Sequence, residues 1–362
     1  MAAAQRKRNK QKRPTLLRDL RQRIVGGDWK PGEKLPSREV FEQMLGASRV
    51  TVQRVFDKLV QEGFVEVNGR RDTRIALEPP HLTRYALAFP TNPSSSTIRW
   101  NRFWGALHDV SMNLRRSDDS ATVLPFFNID GHQDVHDYQQ LLLAMRHHLV
   151  AGIIFPSYPS EMLLKSPLMK EPGIPRVVIA ANLNLADEYK VSTVDLDNTS
   201  FFMKACEYLR HRDCRTVGLI LPAGLDIQRH VLPVLAQYEL SCPPYWMHRL
   251  QPASAEVVSS IVQLMLRNSA DRPQGLIVAN DHFADPATQG LIASGLRVPE
   301  QIPVVFHENF PSTSVPLLKV QRLGFDARQV IKACMDLIDP LHPFDHPVRT
   351  AIVKARFEFE VV

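Results

Sequence analysis

The sequence predicts an α/β protein in two parts: a small N-terminal domain of three helices and a hairpin, and a large domain of two lobes, each a doubly wound parallel sheet. Three observations support this prediction. Apolar residues form a complete helical stripe over residues 52–60, and short apolar runs alternate with longer helical stretches from residue 85 onward. The excess of basic residues is confined to the N-terminal fifth of the 362 residues. A chain of this length can bury more than one core.

The first two helices of the small domain are marked by their ends. Leucines and an isoleucine recur at helical spacing over residues 14–27, and Pro14 suits the first turn of that helix. Ser37 can cap a second helix, and Gly46 can end it, since a glycine readily adopts the left-handed conformation of a helix C-terminus.

A third helix and a hairpin complete the small domain. Ser48 can cap the helix, whose apolar stripe consists of Val52, Val55, Phe56, Leu59 and Val60. Residues 64–67 alternate like a strand, Asn68-Gly69 favours a hairpin turn, and residues 73–76 return. Three helices and a hairpin form a winged helix-turn-helix. We expect it over residues 14–76, after a basic flexible tail at 1–13 and before a stiff linker at 77–83.

The charge distribution indicates a polyanionic partner at one end of the chain. Residues 1–76 contain 18 Lys and Arg against 9 Asp and Glu, a net charge of +9, whereas the remaining residues have a net charge of −3. A solvated basic tail is the alternative, yet residues 14–76 alone keep a net charge of +3. The third helix also has a polar outward face, as expected of a helix that enters the DNA major groove.

Strand and helix patterns alternate through residues 84–362. The apolar runs are 85–89, 121–127, 152–155, 176–180, 216–221, 275–279 and 302–306, and the helices lie near 101–115, 134–148, 198–211, 255–269 and 285–295. Such alternation is typical of parallel sheets covered by helices on both faces. This length favours two lobes, and ligands bind such folds at the carboxyl ends of the strands.

Residues 15–76 resemble the GntR-type winged helix-turn-helix in three segments: RIVGGDWKPGEKLPSREVF, ASRVTVQRVFDKLVQEGFVEV and the wing NGRRDT. The resemblance implies double-stranded DNA as partner. The predicted contact residues are Arg38, Ser48, Arg49, Val50, Thr51, Gln53, Arg54, Gly69, Arg70 and Arg71. The family commonly has Arg directly after the Thr-Val pair, where this chain has Gln53. Because Gln prefers adenine and Arg prefers guanine, we expect an operator that differs from the commonest family sites.

Residues 84–362 resemble the effector domain of LacI-type repressors, which is similar to periplasmic sugar-binding proteins. The matching segments are AGIIFPS, IPRVVIAAN, VSTVDLDN, CRTVGLIL, PQGLIVANDHFADPATQGLIASGLRVPEQIPVVFHEN and TAIVKARFEFE. A GntR-like head on a LacI-like sensor is similar to the AraR-type architecture of arabinose-responsive repressors. The resemblance implies a small effector, a sugar or sugar derivative, bound in a cleft between the lobes.

The predicted effector-binding residues combine this resemblance with the chemistry of sugar recognition. Amides and carboxylates bind sugar hydroxyl groups, arginine binds hydroxyl or acid groups, and aromatic rings stack on the ring faces of sugars. The set is Asn92, Ser94, Phe155, Arg229, Trp246, Asn280, Asp281, Glu308 and Gln321. A helix cap is the alternative role for Asp281 and a surface ion pair for Arg229, whereas Asp195 and Asp197 are expected to shape the lobe crossing. Phe306-His307-Glu308 replaces the family's Gly-Phe-Asp, so the family's ligand is not inherited.

The sequence therefore predicts a cytoplasmic, nucleoid-associated transcription regulator, a repressor, that acts as a homodimer on a pseudo-palindromic operator. An orphan regulator with a degraded pocket is the alternative, followed by a DNA-associated enzyme. No P-loop, G-x-S-x-G or H-E-x-x-H motif occurs, so we expect no enzyme activity, cofactor or metal site. No apolar run reaches 18 residues, so we expect no transmembrane helix. The four cysteines form no C-x-x-C pair, so we expect neither a disulfide framework nor a zinc site. His132 and His136 could bind a metal if they lie on a helix, but they are assigned to a solvated face.

Overall fold

The computed structural model describes residues 15–69, 72–94, 100, 102–114, 121–179, 189–312, 315–338 and 348–361. The predicted tail at 1–13 and the wing residues Arg70 and Arg71 lie outside these residues. Contacts divide the chain into a first unit (Met1–Ile98, Ser111–Thr193 and Cys334–Thr350) and a second unit (Arg99–Val110, Val194–Ala333 and Ala351–Val362).

The N-terminal part, here called the head, contains the elements predicted for it. Its helices are α1 over residues 15–25, α2 (Arg38–Leu45) and α3 (Arg49–Glu62), and its antiparallel hairpin is β1 (Val65–Val67) with β2 (Thr73–Ile75). The side chain of Ser37 accepts a hydrogen bond from the Val40 amide at the start of α2, and Ser48 accepts one from Thr51 at the start of α3. The left-handed Gly63, at φ 87°, ends α3.

The head is held together by an aromatic core and one buried ion pair. The rings of Phe41 and Phe56 meet edge-on with centroids 4.9 Å apart, which joins α2 to α3. Arg21 on α1 donates to both carboxylate oxygens of Glu62, at 2.9 and 2.5 Å, and both side chains are buried. This bidentate geometry orients α1 against the end of α3.

The first six-stranded sheet has the order β13-β7-β6-β5-β3-β4. Its strands are β3 (Arg84–Ala88), β4 (Thr122–Phe126), β5 (Gly152–Phe155), β6 (Arg176–Ile179), β7 (Ser192–Asp197) and β13 (Thr350–Lys354). The pairings of β3 with β4, β3 with β5 and β5 with β6 are parallel. The first unit also contains α5 (His136–Arg146) and short turns at Pro80–Thr83, Glu161–Leu164 and Pro167–Lys170, whereas most of α4 (Arg102–Leu114) belongs to the second unit.

The second six-stranded sheet has the order β14-β12-β11-β10-β8-β9. Its strands are β8 (Val217–Pro222), β9 (Met247–Leu250), β10 (Gly275–Val278), β11 (Val304–His307), β12 (Gln321–Gly324) and β14 (Arg356–Phe357), and all neighbours pair in parallel except β14. The helices are α6 (Asn198–Arg210), α7 (Val258–Leu266), α8 (Ala284–Ala293) and α9 (Ala327–Leu337), with short helices at Ile227–His230 and Leu232–Gln237 and 3₁₀ turns at Pro244–Trp246, Pro252–Val257, Asp281–Phe283 and Glu358–Glu360. A winged helix-turn-helix head and two largely parallel sheets confirm the predicted fold class.

No helix among the described residues is both long enough and apolar enough to cross a membrane.

The head packs directly on the rest of the first unit through a seam formed by His81, His147, His148 and Leu149. Leu149 packs against the apolar core of the head. The His81 ring stacks on Phe64 of the head, with centroids 5.7 Å apart and an interplanar angle of 21°. The linker helix that contains His81 ends at Thr83, and β3 begins at the next residue. The segment predicted as a stiff linker is therefore anchored at both ends.

Acidification is expected to weaken the seam. Burial lowers the pKa of His81 from 6.5 to about 4, with His148 acting in the same direction, and burial also lowers the pKa of His147 and His148. The positive charge of Arg21 lowers both of the latter pKa values as well. The pKa values of the three histidines are lower in the folded protein than in the unfolded chain. The stability that the neutral histidines contribute is therefore fully present above pH 6.5 and is lost as the pH falls toward 4. From the two His81 values, that residue alone costs about 2 kcal/mol at pH 5.

Thermal unfolding at pH 7.5 and pH 5.0 measures this loss. A His81→Phe variant keeps a ring against Phe64 and removes the titrating group, so its stability is expected to fall less between the two pH values. An equal fall in His81→Phe and the parent protein would contradict the assignment to His81.

Candidate nucleic-acid interface and effector edge

The outward face of α3 presents the residues that the sequence assigns to DNA. Ser48, Arg49, Val50, Gln53 and Arg54 are exposed, and Thr51 is half-buried. The hydroxyls of Ser48 and Thr51 lie 3.0 Å apart at the first turn of the helix. These two side chains therefore fix the start of α3, and the longer side chains extend from it.

Two arginines on this face have unused hydrogen-bonding capacity. Within the described part of the chain, neither Arg49 nor Arg54 makes a hydrogen bond or an ion pair with another residue. An exposed guanidinium has five N–H donors in a fixed fork that matches a phosphate or a guanine edge. Both side chains can therefore meet an anionic partner without first breaking an internal contact.

Arg38 is held differently from the arginines on α3. Its guanidinium carbon lies 3.6 Å above the centroid of the Phe56 ring, a cation–π contact at the start of α2. Burial lowers the pKa of Arg38, and the carboxylate of Asp57 opposes that shift. The guanidinium is thus fixed in place by a ring below it and a carboxylate near it.

A groove of about 950 Å³ joins α2, α3 and the hairpin. It is lined by Lys34, Leu35, Pro36, Ser37, Arg38, Glu39, Arg49, Gln53, Asp57, Val60, Val67 and Thr73. Arg38, Arg49 and Gln53 of the predicted set are therefore brought together. Gly69 has a φ of 80°, in the left-handed region that favours glycine, and it is the last described residue before Asp72.

Asp57 is a groove residue that was not predicted from the sequence. Its Oδ1 accepts a hydrogen bond of 2.7 Å from Gln53 Nε2, one helical turn earlier. The i, i+4 spacing of a Gln and an Asp on a polar helix face was the available signal.

The carboxyl edge of the first sheet contains Asn92 and Ser94 in a turn after β3. Asn92 Nδ2 donates to Asn128 Oδ1 at 3.0 Å, and Asn92 Oδ1 accepts from the Ser94 backbone N–H at 2.9 Å. Asn128 has a positive φ of 59°, a conformation that Asn tolerates better than most residues. The amide of Asn92 is thus engaged in shaping this turn.

In the second unit, polar side chains follow β10 and β11 at the carboxyl edge. Asn280 caps a 3₁₀ turn by accepting from the His282 backbone N–H at 3.0 Å, and Asp281 accepts from Asn309 Nδ2 at 2.8 Å while buried. Burial raises the pKa of Glu308, an effect opposed by a 2.7 Å hydrogen bond from Ser312 Oγ. Asn280, Asp281 and Glu308 therefore meet at one edge, as expected for parallel neighbours.

Arg229 belongs to a second polar group of the same unit, together with Asp195 and His230. Burial raises the pKa of Asp195, and the charges of Arg229 and His230 oppose the shift. His230 Nδ1 lies 2.8 Å from the hydroxyl of Thr199. Asp195 therefore faces Arg229, whereas Asp197 caps α6 by accepting from the Ser200 backbone N–H at 3.0 Å.

A cavity of about 190 Å³ lies beside Glu308 in the second unit. Its polar lining includes Arg102, paired with Asp285, and Arg322, paired with Glu358. Neither arginine was predicted from the sequence. Arg322 directly follows the predicted Gln321, and β12 presents Arg322 to the cavity.

Three residues of the predicted effector set do not fit their expected role. Phe155 ends β5 fully buried in the apolar core of the first sheet, so its ring has no face for a sugar. Trp246 is also buried, and it precedes β9 at the amino edge of the second sheet, opposite Asn280. Gln321 is the first residue of β12, also toward the amino edge. Apolar runs and strand ends predict burial and an edge, but not which way a ring points.

The described residues contain no group of three or more His, Cys, Asp or Glu that could hold a metal ion.

Two family models match separate parts of the chain. Residues 14–75 match the bacterial regulatory proteins of the gntR family, and residues 206–350 match the periplasmic binding protein-like domain. The chain joins a GntR-type head to a periplasmic-binding-protein-like domain. The HTH-type transcriptional regulator TreR of Bacillus subtilis (strain 168) is 38% identical over 52 residues, a match that spans 14% of this chain and 22% of that protein.

Solved structures share the fold of the periplasmic-binding-protein-like part. A regulatory protein of the LacI family from Chloroflexus aggregans has a TM-score of 0.56 at 16% identity, over 76% of this chain and 96% of that one. A LacI family transcriptional regulator from Lactobacillus casei with bound glucose has a TM-score of 0.52 at 15% identity, over 76% and 98%. These likenesses support the architecture of the large domain. The GntR-type match, by contrast, covers the head.

Proposed function

We propose that this protein is a cytoplasmic, sequence-specific DNA-binding transcription regulator, a repressor whose operator occupancy is set by a small ligand. The observation that supports it most strongly is the exposed face of α3 in the GntR-type head, where Arg49 and Arg54 have no partner among the described residues. Phosphate contacts from such side chains position a head, and one or two residues read bases.

A homodimer on a pseudo-palindromic operator follows from the size of the head. One recognition helix covers a short half-site, and each good bidentate contact discriminates by only ~1–3 kcal/mol. Two heads related by a two-fold axis double the sequence that is read. A dimer bound to the chromosome in this way is associated with the nucleoid.

For the ligand we propose a sugar or sugar derivative bound at the carboxyl edges of the sheets. Amide and carboxylate groups of Asn280, Asp281 and Glu308 are suited to hydroxyl groups, and Arg229 can bind a hydroxyl or an acid. The Lactobacillus casei structure with bound glucose supports this ligand class. Coupling of ~1–3 kcal/mol between the two sites changes operator affinity 5–150-fold.

A second candidate is a regulator that binds DNA without a ligand. Phe201 and Phe202 are fully buried at the start of α6. LacI-type effector domains, which this part of the chain resembles, have small residues there. Phe306 lines the cavity beside Glu308, whose volume of about 190 Å³ is below the roughly 300 Å³ of common ligand pockets. Such bulky side chains would leave a pocket too small for a sugar, which favours the ligand-independent candidate.

Selection of bound sequences from random duplex DNA by the full chain tests the proposed function. We expect one enriched pseudo-palindrome, with log affinity falling linearly as log salt rises, at a slope of about −0.9 per phosphate contacted. The absence of an enriched sequence, or an affinity insensitive to salt, would overturn the proposal. Repeating the titration with glucose, other neutral sugars and sugar acids then distinguishes the two candidates, because only a ligand-responsive regulator changes its affinity.

A further inference from the structure

The amide of Gln53 is oriented by the carboxylate beside it. Gln53 Nε2 donates to Asp57 Oδ1 at 2.7 Å, and a carboxylate can only accept hydrogen bonds when ionised. The reversed amide would place Gln53 Oε1 against Asp57 Oδ1, two acceptors in contact. The amide is therefore held with its nitrogen toward Asp57, which leaves Oε1 and the second N–H available.

The same carboxylate lies near a second groove residue. The negative charge of Asp57 acts on Arg38, whose guanidinium stacks on Phe56 from the neighbouring helix. Arg38, Gln53 and Asp57 all line the groove of the head. Asp57 thus interacts with both groove side chains, through a hydrogen bond to Gln53 and through its charge on Arg38.

We infer that Asp57 is a positioning residue for base readout, which holds Gln53 as an adenine-reading pair and thereby sets the operator sequence. This inference rests on the proposed DNA-binding function. The free Oε1 is an acceptor for the adenine N6 amino group, and the second N–H is a donor for adenine N7. A guanine presents two acceptors, N7 and O6, so the fixed Oε1 would face an acceptor there.

Fixing the amide in advance sharpens discrimination. An unrestrained Gln can rotate its amide and present either atom, so it accepts more than one base. The hydrogen bond to Asp57 removes that choice. It also restricts the Gln53 side chain before DNA binds, so less conformational entropy is lost on binding. Asp57 has an opposite effect on overall affinity, because its charge is repelled by phosphates. We therefore expect loss of Asp57 to lower selectivity without lowering affinity for DNA in general.

The experiment compares base preferences of full-length variants on duplex libraries. The base pair read by Gln53 is the one whose preference disappears in Gln53→Ala. At that pair the parent protein is expected to prefer adenine to guanine by about 5–150-fold, the range of one good bidentate contact. Asp57→Ala is expected to reduce the preference to about threefold or less, while affinity for a scrambled duplex stays equal or rises.

Glu66→Ala provides the matched control, since it removes an exposed carboxylate of the head that does not line the groove. It is expected to keep the parent preference. Asp57→Ala in a Gln53→Ala background is expected to change nothing further at that base pair and to keep the preferences at the other base pairs, which a general loss of head structure would remove. Unfolding curves verify that each variant is folded.

Retention of the full adenine preference by Asp57→Ala would overturn the inference, as would equal loss in Glu66→Ala. Selection of a defined operator without adenine at the Gln53 position would overturn the inference alone and leave the proposed function intact. Failure of the parent protein to select any sequence would instead overturn the proposed function, and the inference with it.

Discussion

Replacing Arg49 with alanine is expected to abolish specific operator binding while the rest of the protein stays folded. Arg49 is the first residue of α3, is exposed, and has no hydrogen-bond or ion-pair partner among the described residues, so its removal breaks no internal contact. A bidentate base contact is worth ~1–3 kcal/mol for each head. In a dimer the loss is doubled to about 2–6 kcal/mol, which takes specific binding close to the nonspecific level.

Fluorescence anisotropy with the selected operator and a scrambled duplex measures this effect. Arg18→Ala is the matched control, because it removes an equally basic exposed side chain from α1, outside the groove. Arg18→Ala should keep nearly all of the ratio between the two affinities, whereas Arg49→Ala should reduce it toward one. Equal ratios in the two variants would show that Arg49 contributes charge alone.

The second large effect is expected in ligand binding. A ligand present at 100 times its dissociation constant stabilises the protein by ~2.7 kcal/mol. Arg229 is exposed beside Asp195, so Arg229→Ala is expected to remove most of this gain and to leave the ligand-free stability nearly unchanged. The measurement is a thermal-shift titration, with the ligand taken from a screen of glucose, other neutral sugars and sugar acids against the parent protein.

Arg215→Ala is the control for this experiment. Arg215 is also exposed in the second unit, but it lies just before β8, at the amino edge of the sheet. A full ligand-induced shift in Arg229→Ala would refute a role for Arg229 in binding. If no compound of the panel stabilises the parent protein, the ligand-independent candidate is favoured.

The sequence predicted the head well because its signals are local. Ser37 and Ser48 cap the helices that they were expected to cap, and Gly63 ends α3 in the left-handed conformation. Helix caps, tight turns and apolar stripes each involve residues that are close in the sequence, so the local sequence is sufficient to predict them. The seven apolar runs of the large domain likewise form strands, because a strand buried on both faces is a continuous apolar run.

Strands and contacts that depend on distant residues were not predictable in this way. β7 reads Ser-Thr-Val-Asp-Leu-Asp and β9 reads Met-His-Arg-Leu, patterns too polar to indicate a strand without knowledge of their neighbours. The orientation of a side chain was equally hidden, since Phe155 and Trp246 are buried whereas Arg102 and Arg322 line a cavity. The stacking of Arg38 on Phe56 joins two helices, and no spacing in the sequence encodes it.

The packing of the head on the first sheet has a consequence for the spacing of the half-sites that the proposed dimer can bind. A head on a slack tether could reach half-sites at many separations, because the tether would absorb the difference. Here Leu149 and His81 pack on the head, and β3 starts immediately after the linker helix. Helix α3 therefore follows any reorientation of the first sheet, so the dimer proposed above is expected to tolerate little variation in the number of base pairs between its two half-sites.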